Sequence, residues 1–172
     1  MRELILGGAR SGKSAFAEQC ALQSGMAVTY IATAEAGDGE MAERIARHRA
    51  DRPAEWQVVE EPVQLARVLA EHASPQRCLI FDCLTLWLSN LLTDEPIGEK
   101  RFATERAALL ELLPQLPGRI LLVSNEVGLG IIPLGAMTRR FCDESGRLHQ
   151  ALAAACDRVT FVTAGLPMTL KG

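Results

Sequence analysis

The sequence lacks long hydrophobic runs, an excess of charge of either sign and any closely spaced cysteine pair. No apolar run approaches the roughly 20 residues that a membrane-spanning helix needs, so we expect no transmembrane segment. The net charge is −3, without a long basic block, which argues against a nucleic-acid surface as the main function. The chain passes from Met1-Arg2-Glu3 directly into a strand pattern, so we also expect no signal peptide.

The cysteines have the spacing of neither a metal site nor a disulfide framework. They are odd in number and form no C-x-x-C pair: Cys20, Cys78, Cys83, Cys142 and Cys156. This pattern disfavours structural zinc and a set of disulfide bonds. We interpret each cysteine as a small buried apolar residue, including Cys83, which follows a candidate functional aspartate. Such thiols fit a reducing cytoplasm.

What is present is the composition of a globular chain. The 172 residues are 48% apolar and 23% charged, a balance typical of a protein that folds around one core. No repeat, low-complexity tract or linker divides the chain. We therefore predict a single domain, 1–172.

The most informative stretch lies at the start of the chain. The apolar run Leu4-Ile5-Leu6 predicts a buried strand, and the next residues, Gly7-Gly8-Ala9-Arg10-Ser11-Gly12-Lys13-Ser14, match the pattern G-x-x-x-x-G-K-[ST]. In this pattern backbone N–H groups surround phosphate oxygens, the lysine reaches the outer phosphates, and the last hydroxyl binds Mg²⁺. A helix pattern over 15–22 would add the positive potential of its N-terminus. The context predicts a nucleotide site rather than a glycine-rich turn with an incidental lysine.

Strand and helix patterns alternate along the rest of the chain. Strands are predicted over 27–32, 56–59, 78–82, 119–124 and 158–163, from apolar and β-branched runs. Helices are predicted over 40–50, 62–72, 99–113 and 136–155, from apolar residues at helical spacing. We interpret 84–92 as a helix or ordered loop, 93–98 as an exposed loop, 125–135 as irregular and the residues after 163 as a short tail.

This alternation predicts an α/β fold with a mainly parallel sheet covered by helices on both faces. Ligands of such folds bind at the carboxyl ends of the strands. Four polar stretches fall there: 7–14, 32–39, the acid at 82, and 124–130. We expect the functional site at this edge of the sheet.

Asp82 ends the apolar strand predicted over 78–82. An acid in this place in a P-loop protein binds Mg²⁺ directly or through water. The alternative is an aspartate that caps a helix or forms a turn. Beside the predicted nucleotide loop we favour the magnesium role, with Ser14 and Asp82 as its metal ligands.

A second candidate cluster places arginines around one histidine. Arg44, Arg47, Arg49 and Arg52 surround His48. Most often such a pattern is a solvated helix face, but arginines also hold phosphate groups, and a neutral imidazole can act as nucleophile or acid/base. His72 and His149 have no such surroundings in the sequence, and we interpret both as ordinary helix residues.

Several blocks in fixed order carry a family resemblance. They are the loop 7–14, Tyr30-Ile31-Ala32-Thr33-Ala34, Arg47-His48-Arg49-Ala50-Asp51-Arg52-Pro53 with Trp56, Asp82-Cys83-Leu84-Thr85-Leu86-Trp87-Leu88-Ser89-Asn90, Ser124-Asn125-Glu126-Val127-Gly128, and Ala164-Gly165-Leu166-Pro167. Together they closely resemble the bifunctional adenosylcobinamide kinase/adenosylcobinamide-phosphate guanylyltransferases of cobalamin biosynthesis. The resemblance spans essentially the whole chain, and its histidine and Ser-Asn-Glu-Val-Gly blocks are the most specific parts.

The resemblance implies a P-loop NTPase (RecA-like) three-layer fold and two reactions. A nucleoside triphosphate phosphorylates adenosylcobinamide, and GTP then donates GMP to the new phosphate through a phosphoramidate on the histidine that matches His48. His48 and Lys13 are the implied catalytic residues. The implied nucleotide contacts are Gly7, Gly8, Ala9, Arg10, Ser11, Gly12, Lys13, Ser14, Ala32, Thr33, Ala34, Arg49, Ala50, Asp51, Arg52, Glu60 or Glu61, and Asp82. The family also implies Mg²⁺, ATP or GTP as donor, and a homotrimer.

Two alternatives stay open at this point. The chain could be a monofunctional P-loop kinase of a small molecule in which His48 is structural, or a nucleotide-dependent switch with slow hydrolysis. Glu126 is a candidate active-site acid, and a structural role for it is equally compatible with the sequence.

Overall fold

A computed structural model describes residues 1–33, 53–93 and 97–172. The strands are β1 (Arg2–Gly7), β2 (Ala27–Ala32), β3 (Gln57–Glu60), β4 (Arg77–Asp82), β5 (Arg119–Asn125), β6 (Arg158–Thr163) and β7 (Leu166–Lys171). The helices are α1 (Lys13–Gln23), α2 (Leu65–His72), α3 (Leu84–Leu92), α4 (Ile97–Leu112) and α5 (Ala136–Ala155), with a 3-10 turn at Leu113–Gln115. The helix predicted over 40–50 lies outside the described residues.

The strands form one seven-stranded sheet in the order β3-β2-β4-β5-β1-β6-β7. The first six strands in this order pair in parallel, and β7 pairs antiparallel to β6. The predicted α/β fold with a mainly parallel sheet is thereby confirmed.

Two elements differ from the sequence expectations, and one open alternative is resolved. The segment after 163 is a strand rather than a tail. Its alternation of apolar and polar residues is interrupted by Pro167, which weakens a strand pattern except at a sheet edge. Helix α4 begins at Ile97, so the loop predicted over 93–98 is shorter than expected. The segment 84–92 is a helix throughout.

The two faces of the sheet bury two apolar layers. Successive residues of a strand point to opposite faces, and β4 follows this rule: Leu79 and Phe81 pack in the layer that includes Trp87 of α3, whereas Ile80 packs in the layer beneath Ala17 of α1. Since both faces of the central strands are covered, their sequences read as continuous apolar runs.

The strand register brings the expected polar residues to one edge. Ala32 of β2 pairs with both Glu60 of β3 and Asp82 of β4, and Gly7 of β1 pairs with Asn125 of β5. Strand β5 lies between β4 and β1. The end of β5 therefore separates Asp82 from the loop that follows Gly7.

Candidate nucleotide-binding site

The loop after β1 requires glycine at two positions. A Cβ atom on Gly7 would lie 2.4 Å from Ser11 Oγ and 2.5 Å from the carbonyl oxygen of Val162. Gly12 has a φ of +94°, and a Cβ atom there would lie 3.1 Å from Cα of Gly165. Side chains at these positions would be excluded by contact or by backbone strain, so the two motif glycines are explained by the local geometry.

Backbone hydrogen bonds hold this loop from three sides. The Ser11 amide donates to the Gly8 carbonyl at 3.2 Å, and the Ser11 carbonyl accepts from the amide of Gly165 at 2.8 Å. The amide of Glu126 donates to the carbonyl of Gly7 at 3.0 Å. Ser11 Oγ is buried without a hydrogen-bond partner in the described part of the chain. The loop is thus a fixed structure that keeps an unused hydroxyl inside it.

Positive charge collects where the loop meets α1. Lys13 is only 7% exposed, and its Nζ donates to the Gly8 carbonyl at 3.3 Å, so the ammonium group lies across the loop. Gly12 is the N-cap of α1 and supplies no side-chain cap. Backbone N–H groups of the first helical turn are therefore available to an anion.

Asp82 lies at the carboxyl end of β4 and accepts a hydrogen bond of 2.8 Å on Oδ2 from the hydroxyl of Tyr30. It is not the N-cap of the following helix, since that position belongs to Cys83 and has no side-chain cap bond. The tyrosine restricts the carboxylate to one orientation at the edge of the sheet. This geometry suits a metal ligand better than a helix cap.

Ser14 and Asp82 fit a magnesium site that is shared with a nucleotide. Mg²⁺ prefers oxygen ligands, and in phosphate-transfer sites it takes one or two from the protein and the others from water and phosphates. A hydroxyl and a carboxylate provide such a set. Within the described residues there is no cluster of three or more His, Cys, Asp or Glu side chains that could hold a metal without a nucleotide.

Thr33 joins the ends of β2 and β4. Its Oγ1 accepts from the amide of Cys83 at 2.8 Å and donates to the carbonyl of the same residue at 3.0 Å. Asn90 of α3 donates to the Thr33 carbonyl at 3.2 Å. Thr33 therefore lies beside Asp82, as expected, but its hydroxyl group is hydrogen-bonded to the backbone of Cys83.

The two glutamates after β3 have different roles. Glu61 Oε1 accepts from the amides of Val63 at 2.9 Å and Gln64 at 2.8 Å, while Oε2 pairs with Arg67 at 2.8 Å. Burial acts to raise the pKa of Glu61, but the backbone hydrogen bonds and the arginine outweigh it and lower the pKa. Glu61 thus organises the chain before α2, and the exposed Glu60 is the better candidate for a nucleotide contact.

A chain of polar side chains ends beside this edge and includes a residue that the sequence analysis did not select. His149 Nε2 lies 2.7 Å from Ser124 Oγ, and its Nδ1 lies 3.6 Å from Glu126 Oε2. Ser124 Oγ lies 3.3 Å from Thr85 Oγ1, which also accepts from the amide of Asn125 at 2.7 Å.

A signal for His149 exists in the sequence. The buried residues of α5 are Ser145, Leu148, His149 and Leu152, which is the spacing of one helix face. This spacing places the histidine against the sheet rather than in solvent. Two polar residues on an otherwise apolar face indicate a buried polar contact.

Cys83 is a packing residue. It is buried beside Asp82, and burial, followed by the charge of that aspartate, raises its pKa to about 11. The thiol is therefore protonated at neutral pH and is a poor nucleophile.

The remaining predicted site residues fall in the part of the chain that the structure does not describe. They are Ala34, His48, Arg49, Ala50, Asp51 and Arg52. Their roles therefore stay predictions. The described residues bring together 7–14, Ala32, Thr33, Glu60 and Asp82 at one edge of the sheet.

The sheet and the glycine loop have the arrangement of the P-loop NTPase fold. The RadB recombinase shares this fold, with a TM-score of 0.54 and 16% identity over 93% of this chain and 73% of that chain. A protein of Pyrococcus horikoshii OT3 also shares it, with a TM-score of 0.56 and 10% identity over 99% of this chain and 86% of that chain. At these identities the similarity concerns the fold alone.

Residues 3–170 match the family described as cobinamide kinase / cobinamide phosphate guanyltransferase. The bifunctional adenosylcobalamin biosynthesis protein CobP of Pseudomonas aeruginosa is 64% identical over 173 residues, covering 100% of this chain and 98% of that protein. The corresponding protein CobU of Escherichia coli is 37% identical over 182 residues, covering 99% and 100%. The chain belongs to this family, and the resemblance stated from the sequence is confirmed.

Proposed function

We propose that this chain phosphorylates adenosylcobinamide with a nucleoside triphosphate and then transfers GMP from GTP to the adenosylcobinamide phosphate. The products are adenosylcobinamide-GDP and pyrophosphate. The observation that carries the proposal is the family match over residues 3–170, joined to a glycine loop that is built to hold phosphates. Family membership favours this function over a monofunctional kinase or a nucleotide switch.

In the first reaction the substrate hydroxyl oxygen forms a bond to the γ-phosphorus, and the bond between this phosphorus and the β-phosphate oxygen breaks. The nucleoside diphosphate leaves, and the hydroxyl proton passes to water or to a nearby acceptor. Lys13 and the amides of 7–14 hold the β- and γ-phosphates, because their positive potential stabilises charge that develops there. Ser14 and Asp82 would hold Mg²⁺, which would supply further neutralisation of the phosphate charge.

In the second reaction His48 is the nucleophile. A neutral imidazole nitrogen attacks the α-phosphorus of GTP, the bond to the β-phosphate oxygen breaks, and pyrophosphate leaves from the glycine loop. A phosphate oxygen of adenosylcobinamide phosphate then attacks the same phosphorus and releases His48. Arg49 and Arg52 lie close to His48 in sequence and carry the charge needed to stabilise the transferring group.

The protein acts in the cytoplasm as a homotrimer in this proposal. The described cysteines are all free thiols, as a reducing compartment favours, and no described helix is long and apolar enough to cross a membrane. The trimer follows from the family resemblance. Exposed apolar residues after β5, among them Leu129, Ile131 and Leu134, are the kind of surface that subunits bury against each other.

The test is transfer of label from [α-³²P]GTP to the protein. We expect an acid-labile, base-stable label on the wild type, no label on His48→Asn, and retention of part of the kinase activity in that variant. His72→Asn is the matched control and should label normally. A wild-type enzyme that converts adenosylcobinamide phosphate without taking up label would overturn the covalent route, and binding of GTP without turnover of any corrinoid would support a switch.

A further inference from the structure

The end of β5 connects the two halves of the candidate nucleotide site. The backbone amide of Glu126 donates a hydrogen bond of 3.0 Å to the carbonyl oxygen of Gly7 in the glycine loop. The backbone amide of the preceding residue, Asn125, donates a hydrogen bond of 2.7 Å to Thr85 Oγ1. Thr85 lies three residues after Asp82 in the sequence. Any group that fixes residues 124–126 therefore fixes the separation between the loop and Asp82.

His149 contacts this segment with both ring nitrogens. The residue is only 7% exposed, and helix α5 presents it to Ser124 on one side and Glu126 on the other. Glu126 Oε1 also accepts from the amide of Gly128 at 2.6 Å. The carboxylate is thus held between a backbone amide and the imidazole, while its side chain keeps 21% of its surface exposed at the edge of the sheet.

The charges determine the tautomer of the imidazole. A carboxylate is an acceptor, so the nitrogen that faces it, Nδ1, carries the proton. Nε2 then accepts from Ser124, whose hydroxyl in turn accepts from Thr85. Burial lowers the pKa of His149, and the charge of Glu126 opposes this shift only in part. In the neutral Nδ1–H form, Nε2 accepts from Ser124 and Nδ1–H faces the carboxylate of Glu126.

We propose that His149 is a positioning residue of this enzyme: through Glu126 and Ser124 it holds the end of β5 in the geometry that both transfer reactions require. The inference rests on the proposed nucleotide site at residues 7–14 and Asp82. It also gives Glu126 a defined orientation at the edge where the phosphates bind.

A purely structural role would not need a histidine at this position. An aliphatic side chain would fill the space between α5 and β5 without two polar partners, and burying an imidazole is favourable only when both nitrogens are satisfied. The side-chain contacts of His149 are with Ser124 and Glu126, at the end of the sheet where the glycine loop and Asp82 lie. They therefore act on the geometry of the site in addition to the packing of α5.

The test separates turnover from binding in four variants. His149→Phe keeps a planar ring and removes both the hydrogen bond to Ser124 and the electrostatic contact with Glu126. His149→Asn places an amide near Nδ1 and retains a donor to Glu126, and His149→Gln retains a partner for Ser124. His72→Gln, on α2, is the matched control. Kinase kcat, the KM for nucleotide, and the nucleotide Kd by titration calorimetry are measured for each variant.

We expect His149→Phe to lower kcat by about tenfold or more while the nucleotide Kd changes by less than about threefold. His149→Asn or His149→Gln should recover part of the loss, and His72→Gln should match the wild type. A folded His149→Phe with kcat within about twofold of the wild type would overturn the proposal, as would equal losses in all three His149 variants.

Ser124→Ala provides a second route if His149→Phe unfolds. It removes one hydroxyl from the chain, and in combination with His149→Asn its effect on kcat should be clearly less than multiplicative, because both changes break the same contact. Fully multiplicative effects would contradict the inference. If instead residues 7–14 do not form the nucleotide site, Lys13→Ala should bind nucleotide with the same Kd as the wild type.

Discussion

The amide of Gly165 donates a hydrogen bond of 2.8 Å to the carbonyl oxygen of Ser11. Gly165 belongs to the two-residue turn between β6 and β7, in which Ala164 and Gly165 have φ values of 51° and 77°. Two central residues with positive φ are the mark of a type I′ hairpin turn. The turn at the far end of the chain thereby supports the middle of the nucleotide loop.

The first prediction concerns this turn. Gly165→Ala places a side chain at positive φ and should lower the free energy of unfolding by about 1 kcal/mol. The same change should weaken nucleotide binding, since it disturbs the support of Ser11. Ala164→Asn is the matched control: asparagine tolerates this φ well, so its melting temperature should not fall. A Gly165→Ala protein as stable as the wild type would contradict this account.

Lys13→Ala should weaken nucleotide binding and depress both activities. Loss of the ammonium group removes charge stabilisation that is strongest in the transition state, so we expect kcat/KM to fall by about a hundredfold or more. The measurement is steady-state kinetics of each reaction, with nucleotide Kd determined separately. Unchanged turnover would remove the glycine loop from the mechanism.

Tyr30→Phe removes the hydroxyl that orients Asp82. A hydrogen bond of this kind contributes about 1 kcal/mol net, so the Mg²⁺ concentration for half-maximal kinase rate should rise by about fivefold in Tyr30→Phe. Asp82→Asn should lower the kinase rate by more, and at all Mg²⁺ concentrations. The double variant should behave like Asp82→Asn alone. An additional loss in the double variant would mean that Tyr30 acts independently of Asp82.

Cys83→Ala should retain both activities within about twofold. The raised pKa of the thiol excludes a thiolate at neutral pH, so only packing is lost, and the expected effect is a lower melting temperature. Thiol titration of the native wild type should leave Cys83 unmodified until the protein unfolds. Loss of activity at full folding would show a chemical role for this residue.

His149 should make stability depend on pH. Its pKa is lowered in the folded state, so the unfolded chain binds more protons between the folded value and the ordinary value of about 6.5. Stability is therefore present above the ordinary value and decreases as the pH falls through it. Denaturant unfolding at several pH values should show a smaller loss toward acid for His149→Phe than for the wild type. Equal slopes would contradict the assignment of a neutral buried histidine.

Much of the fold and part of the site followed from local patterns. Apolar runs located the central strands because these are buried on both faces, and the glycine motif located the loop because its chemistry depends on contiguous residues. Asp82 was predicted from its place at the end of a strand. In each case the signal lay within a short stretch of sequence.

What local patterns missed depends on contacts between distant parts of the chain. The partners of His149 are Ser124 near the end of β5 and Glu126 directly after it. They lie more than 20 positions from His149 in the sequence, and only the packing of α5 against the sheet brings them together. Glu60 and Glu61 carry the same side chain, and the sequence does not indicate that Glu61 is the one that bonds the backbone before α2 and pairs with Arg67. Strand β7 escaped prediction because Pro167 is compatible with a strand only at an edge, and the edge is a property of the assembled sheet.

Strand β7 determines how the sheet ends. Thr163 and Leu166 form the pair that closes the hairpin, and Val162 pairs with Pro167 next to them. In an antiparallel ladder hydrogen-bonded and non-hydrogen-bonded pairs alternate, so the backbone N and C=O of Pro167 point away from β6. The proline thus removes an N–H from the outer row, where a neighbouring strand would need it. The proline therefore disfavours edge-to-edge pairing of the sheets of two molecules through β7. The side chains of Leu166, Met168 and Leu170 are exposed along this strand.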